Sequence, residues 1–100
     1  MRPIRFEWDE QKNRENLRKH KITFEQAKMV FAGPMTVRAD ARHDYGEERW
    51  VGIGRVGGRT VLVVFKVPGL DLVRLISARK ALKWERKEYE EAIANELGRV

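Results

Sequence analysis

Residues 74–89, RLISARKALKWERKEY, decide the reading of this chain. The stretch opens as a strand, is expected to turn at Ser77-Ala78-Arg79, and continues as a charged amphipathic helix. From Arg79 to Lys87 it carries Arg79, Lys80, Lys83, Arg86 and Lys87 against a single acid, Glu85. Cations this dense at a strand-to-helix junction suit a polyanion better than they suit a core. The remainder of the chain reads as a scaffold that presents this corner.

Working back from the corner, Asp71 to Ala78 forms the last strand, and Pro68-Gly69 turns the chain into it. Thr60 to Lys66, TVLVVFK, is apolar on both faces, which marks a central strand. Gly57-Gly58 supplies a primed hairpin turn, because both glycines tolerate positive φ. Arg49 to Arg55 is the strand before it, Asp40 to Glu47 a polar loop, and Met35 to Ala39 a weaker strand. Working forward, a helix is expected from Leu82 to Leu97, stopped by Gly98, with Glu85, Tyr89, Ile93 and Leu97 facing the sheet.

At the N-terminal end, Ile4 to Trp8 alternates apolar and charged, as a half-buried strand does. Asp9 caps a helix that runs to His20, with Leu17 its only large aliphatic, on a narrow stripe shared with Asn13 and the Lys12 stem. Thr23 and Gln26 form a capping box, and Ile22 can staple onto Ala27. The second helix carries Phe24, Ala27, Val30 and Phe31 at helical spacing until Gly33-Pro34 ends it. The order β-α-α-β-β-β-β-α, with tight turns between the later strands, gives an α+β fold. Its antiparallel sheet is packed by an N-terminal αα-hairpin and a C-terminal helix.

One hundred residues is one domain with a single modest core. Twenty-one basic residues against 15 acidic give a net charge of +6, the footprint of a nucleic-acid binder or of a protein with an acidic partner. With no cysteine, disulfides and cysteine-held zinc are excluded, and a reducing cytoplasm is the expected compartment. The opening MRPIRFEWDE has charges where a signal peptide needs an apolar run, and the apolar run Val61 to Phe65 is too short to cross a bilayer.

Three separated patterns occur in order: FEWDEQKNRENLRKHKITFEQA from Phe6 to Ala27, GEERWVGIG from Gly46 to Gly54, and RLISARKALKWERKEY from Arg74 to Tyr89. Together they resemble the BrnT family of small bacterial proteins, whose characterised members are toxins of type II toxin–antitoxin systems. The resemblance spans nearly the whole chain. It implies a RelE-like α+β fold over residues 1–100 and a ribonuclease that arrests growth by cutting RNA, with no metal and no cofactor. It implies as partner a BrnA-like ribbon-helix-helix antitoxin, which would cover the toxin in a hetero-oligomer and repress the shared operon. DNA would then enter only indirectly, through the antitoxin.

A metal-free ribonuclease needs a base for the 2′-hydroxyl proton, cations for the charge growing on the phosphoryl oxygens, and an acid for the leaving 5′-oxygen. The catalytic candidates are Arg79, Glu48, His20 and Arg74. Arg79 offers a guanidinium fork to a phosphate, or else ties the corner to Glu85. Arg74 lies on the opposite face from Arg79 if the strand is regular. His20 ends the first helix and closes a pattern with Lys12, Asn16 and Lys19. Glu48 is either a base, an arginine-orienting group or an edge-strand charge.

The candidate RNA contacts are Lys12, Lys19, Lys83, Arg86 and Tyr89; Tyr89 either stacks on a base or sits in the core with its hydroxyl at the edge. Glu85, among apolar neighbours, is either paired or raised in pKa, and pairing with an arginine in support of the site is favoured. His43 reads as a surface histidine. Glycines 52, 54, 57 and 58 lie in strand and hairpin, without the following helix that a phosphate loop needs. The competing reading is a non-catalytic basic module that holds nucleic acid or an acidic partner by charge alone.

Overall fold

The helix starts follow from local chemistry. The Asp9 carboxylate accepts from the amides of Gln11 and Lys12, two of the donors a helix leaves open at its start, and α1 runs Glu10–His20. Lys21 closes it in the left-handed conformation at φ 61°, its amide donating to the Leu17 carbonyl. Thr23 and Gln26 complete a capping box for α2, Phe24–Ala27, which tightens into a 3-10 turn over Lys28–Ala32 before Gly33. The computed structural model describes residues 3–40 and 48–97. His43, Gly98 and the polar loop from Ala41 to Glu47 lie outside the described residues.

Among the described residues five strands form one sheet: β1 Arg5–Glu7, β2 Met35–Ala39, β3 Trp50–Val56, β4 Arg59–Gly69 and β5 Leu72–Lys80, in the order β1-β5-β4-β3-β2. The pairs from β2 to β5 are antiparallel, and β1 lies parallel to β5 at the edge, Phe6 opposite Val73. Gly57 and Gly58 take φ of 54° and 85° in the β3–β4 hairpin. Two boundaries differ from the sequence expectation. β4 passes through Pro68, whose missing amide falls in a register irregularity between Lys66 and Gly69, and the chain turns at Leu70–Asp71 instead. β5 does not turn at Ser77-Ala78-Arg79, because Ala78, Arg79 and Lys80 still pair with Val63, Leu62 and Val61. The corner is Ala81-Leu82, and α3 follows over Lys83–Leu97.

The helices cover both faces. Ile22, Phe24, Ala27 and Val30 pack on one face against Val61, Val63, Leu75 and Ala78. Val51, Ile53, Leu62 and Val64 form a smaller core on the other face under Tyr89 of α3. Gly54 makes the first packing possible, since a Cβ there would stand 2.9 Å from Val30 Cγ1 and 3.2 Å from the Val30 carbonyl oxygen.

The first helix docks differently from the aliphatic stripe expected of it. Leu17 is 46% exposed, and the residue of α1 that is buried is Asn16, at 5%. Its amide donates to the carbonyls of Ile22 and Ala78 at 2.9 and 2.8 Å, and its oxygen accepts from the Ala78 amide at 3.0 Å. Asn16 thus acts as a short piece of strand beside β5, where β1 has already ended. Asn13 adds a bond from the Phe24 amide at 2.8 Å. Helix α1 is therefore held by amide chemistry more than by apolar contact.

Candidate functional site

The position of Arg79 follows from an irregularity in β5. Val64 pairs with Ser77 and the next residue, Phe65, pairs with Leu75, which leaves Ile76 as the extra residue of a bulge. Val73, Leu75 and Ala78 all face the αα-hairpin core. Arg74 and Arg79 therefore both face the α3 side. The expectation that they lie on opposite faces holds only for a regular strand, and this strand is not regular.

On that face Arg79 is held by Glu85. Nη1 donates to Oε1 at 2.8 Å and Nη2 to Oε2 at 2.9 Å, the two-bonded geometry of a guanidinium on a carboxylate. The Leu82 amide donates to Oε1 at 2.8 Å, so the carboxylate also fixes the corner that starts α3. Glu85 is 3% exposed, while the Arg79 side chain keeps 30% of its surface open. The Arg79 hydrogen bonds pull the Glu85 carboxyl below its ordinary pKa. Burial opposes them, and the Leu82 amide and the charges of Arg79 and Arg38 add to the lowering. Of the two alternatives for this residue, the structure takes the paired carboxylate.

Arg74 also has a carboxylate partner, donating to Glu7 Oε2 of β1 at 2.8 Å, with both side chains partly exposed. Lys12, Lys19 and His20 come together at the edge of the sheet. With Glu15 and Asn16 they line a cleft of about 290 Å³ whose other wall is Ile76 and Ser77 of the bulge. Ser77 and Arg79 are two residues apart on one face, about 7 Å along the strand. The cleft and the Arg79–Glu85 pair are therefore neighbours.

The remaining candidates are placed elsewhere. Glu48 is exposed and lies with Trp50, Lys66 and Pro68. Lys66 is four residues along β4 from Leu62, the register partner of Arg79, which is about 13 Å. Lys83 is exposed in the first turn of α3. Arg86 lines a separate cavity with Lys80, Arg55 and Arg59, two arginines that the sequence reading passed over. Tyr89 is 4% exposed, and its hydroxyl donates to the Pro34 carbonyl at 2.8 Å. It belongs to the second core, with no ring face open to a base. Among the described residues no three His, Asp or Glu side chains are grouped to hold a metal ion.

Residues 8–85 match the model of a family described as the ribonuclease toxin BrnT of type II toxin–antitoxin systems. Among solved structures, the fold is similar to that of the Brucella abortus ribonuclease toxin BrnT. The two have a TM-score of 0.59 at 24% identity, over 80% of this chain and 99% of that one. No curated protein matches. The family match covers the N-terminal helices, strands β2 to β5 and the Arg79–Glu85 corner, and by it the chain belongs to the BrnT family of ribonuclease toxins of type II toxin–antitoxin systems.

Proposed function

We propose that this protein is a metal-independent endoribonuclease that arrests growth by cutting RNA, acting in the cytoplasm until a BrnA-like antitoxin neutralises it. The observation that carries the reading is the adjacency of Arg79 to the cleft of Lys12, Lys19 and His20. A phosphate over the open side of Arg79 would meet the remaining edge of a guanidinium that Glu85 already holds in place, which saves the cost of ordering it at the moment of reaction. His20, at the neighbouring cleft, is the side chain we assign to proton transfer, with Lys12 and Lys19 holding the RNA backbone. Arg74 adds positive charge on the same face, and Glu48, at its distance along β4, is assigned no step. The antitoxin's ribbon-helix-helix part would carry any contact with DNA. No helix among the described residues is long and apolar enough to cross a membrane.

The test is incubation of the purified protein with a structureless RNA in excess EDTA, beside Arg79→Lys and His20→Ala. Lysine keeps the charge but loses the two-pronged geometry, so cleavage by Arg79→Lys should fall by about 100-fold or more. Wild-type cleavage by Arg79→Lys would remove Arg79 from the site. A second reading draws on the fact that Arg74 and Arg79 both already hold carboxylates. A non-catalytic basic module needs no free fork, and it predicts salt-sensitive RNA binding without cleavage in any buffer. Co-expression with the gene encoded next door tests the antitoxin directly through recovery of growth.

A further inference from the structure

The β3–β4 hairpin, the end of β5 and the first turns of α3 enclose a cavity of about 290 Å³ lined by Arg55, Arg59, Lys80 and Arg86. One acid, Glu90, shares it and stands 3.9 Å from Arg55, with both side chains about half exposed. So long and open a pair neutralises little, and the cavity keeps a surplus of positive charge. Two bonds frame it: the Arg55 guanidinium donates to the Gly58 carbonyl at 3.2 Å across the hairpin, and the Ala81 amide donates to the Thr60 carbonyl at 2.9 Å. Nothing in either hydrophobic core uses these four cations.

We infer that this cavity is a second phosphate site, which holds the RNA backbone on the far side of Arg79 from the α1 cleft. Lys80 follows Arg79 in β5, and Arg79 Nη1 donates to the Lys80 carbonyl at 3.3 Å, so cavity and guanidinium are contiguous. Along β5 the order is then the Lys12–Lys19–His20 cleft at Ser77, the fork of Arg79, and the four-cation cavity at Lys80. Two cationic stations on either side of Arg79, whose own charge is met by Glu85, offer several phosphate contacts along one strand, as a single-stranded nucleic acid needs to bind at cellular salt. The inference rests on the reading that RNA is the ligand, and not on its being cut.

The experiment is fluorescence anisotropy with a 2′-O-methyl RNA, which cannot be cleaved through its 2′-oxygen, over a series of salt concentrations. The double variant Arg55→Gln/Arg59→Gln is compared with wild type and with Arg14→Gln/Arg18→Gln, which removes the same charge from the exposed side of α1. The cavity variant should bind several-fold more weakly at low salt, with a salt slope shallower by about 1.4, two contacts at about 0.7 each for a single strand. The α1 variant should change the slope much less. Equal losses in the two variants, or unchanged affinity and slope in the first, would overturn the inference. So would an equal loss of binding to poly-glutamate, which would mark the cavity as a seat for an acidic protein. If wild type proves to cut no RNA, the anisotropy result still decides this site, so the two readings fail separately.

Discussion

The Arg79 guanidinium and the Glu85 carboxylate lock together through two parallel hydrogen bonds of 2.8 and 2.9 Å, and the same carboxylate takes the Leu82 amide. The pair joins the last strand to the last helix, so it is structural whatever else Arg79 does. Removing either partner leaves the other charge partly buried without its counterion. Glu85→Ala and Arg79→Ala should each lower stability by about 2–4 kcal/mol in urea unfolding. A loss under about 0.5 kcal/mol, the size of an ordinary surface change, would mean that the pair is incidental.

The same pair gives the protein an acid limit. The Glu85 carboxyl is lowered in the folded state from an ordinary value of 4.5, chiefly by Arg79. Between the folded value and 4.5 the unfolded chain binds the extra proton, so stability is complete above about pH 4.5 and falls as pH drops through the folded pKa. The slope from this one group cannot exceed about 1.4 kcal/mol per pH unit. Thermal melts from pH 6 to 3 should show this component in wild type and lack it in Glu85→Gln.

Asn16 predicts a reversal of the usual ranking of polar and aliphatic substitutions. Asn16→Ala strips partners from both the amide and the carbonyl of buried Ala78, and should cost about 2–4 kcal/mol. Leu17→Ala, at a site 46% exposed, should cost less than about 1 kcal/mol. Asn16→Asp should be worse than Ala, since a carboxylate would face the Ala78 and Ile22 carbonyls. Chemical denaturation of the three variants settles the order.

Gly54→Ala should destabilise by about 1–3 kcal/mol, because the added carbon meets the side chain and backbone of Val30 in the 3-10 turn. Gly54→Ala combined with Val30→Ala should recover part of that loss if the clash is with the side chain. No recovery would place it on the carbonyl at 3.2 Å.

The parts of this fold that are legible in sequence are those whose cause lies within a few residues. Asp9, the Thr23–Gln26 box and the Gly57-Gly58 turn are of that kind, and each sits where its chemistry places it. Leu17 and Asn16 show the limit, because periodicity counts apolar residues and gives no signal that an amide will substitute for a strand. Pro68 and Ser77 misplace two boundaries because long-range pairing overrides weak strand formers: Ser77 pairs with Val64, and Pro68 is carried through a register irregularity by the paired Lys66 and Gly69 on either side. The candidate site is legible in residue type and only partly in place. Lys12, Lys19 and His20 share a cleft because they share a helix, and Glu48 is set apart because nothing local fixes its distance from Arg79. Arg55 and Arg59 leave no mark in sequence beyond their place on either side of a hairpin. Their convergence with Lys80 and Arg86 exists only once the sheet is formed.

The bulge at Ile76 works as a phase shift in the strand. Arg79 stands five positions after Arg74, an odd interval that ought to send the two guanidiniums to opposite sides of the sheet, and one surplus residue restores them to the same side. The location of the chemistry is thus encoded in a count of residues as much as in their identities. Deleting Ile76 would leave an even interval and both guanidiniums on the α3 side, whereas a strand that kept Ile76 and paired regularly would swing either the segment before it or the segment after it by half a period. Arg79 could keep Glu85 only if Arg74 gave up the α3 side, and Arg74 could stay there only if Arg79 turned toward the αα-hairpin.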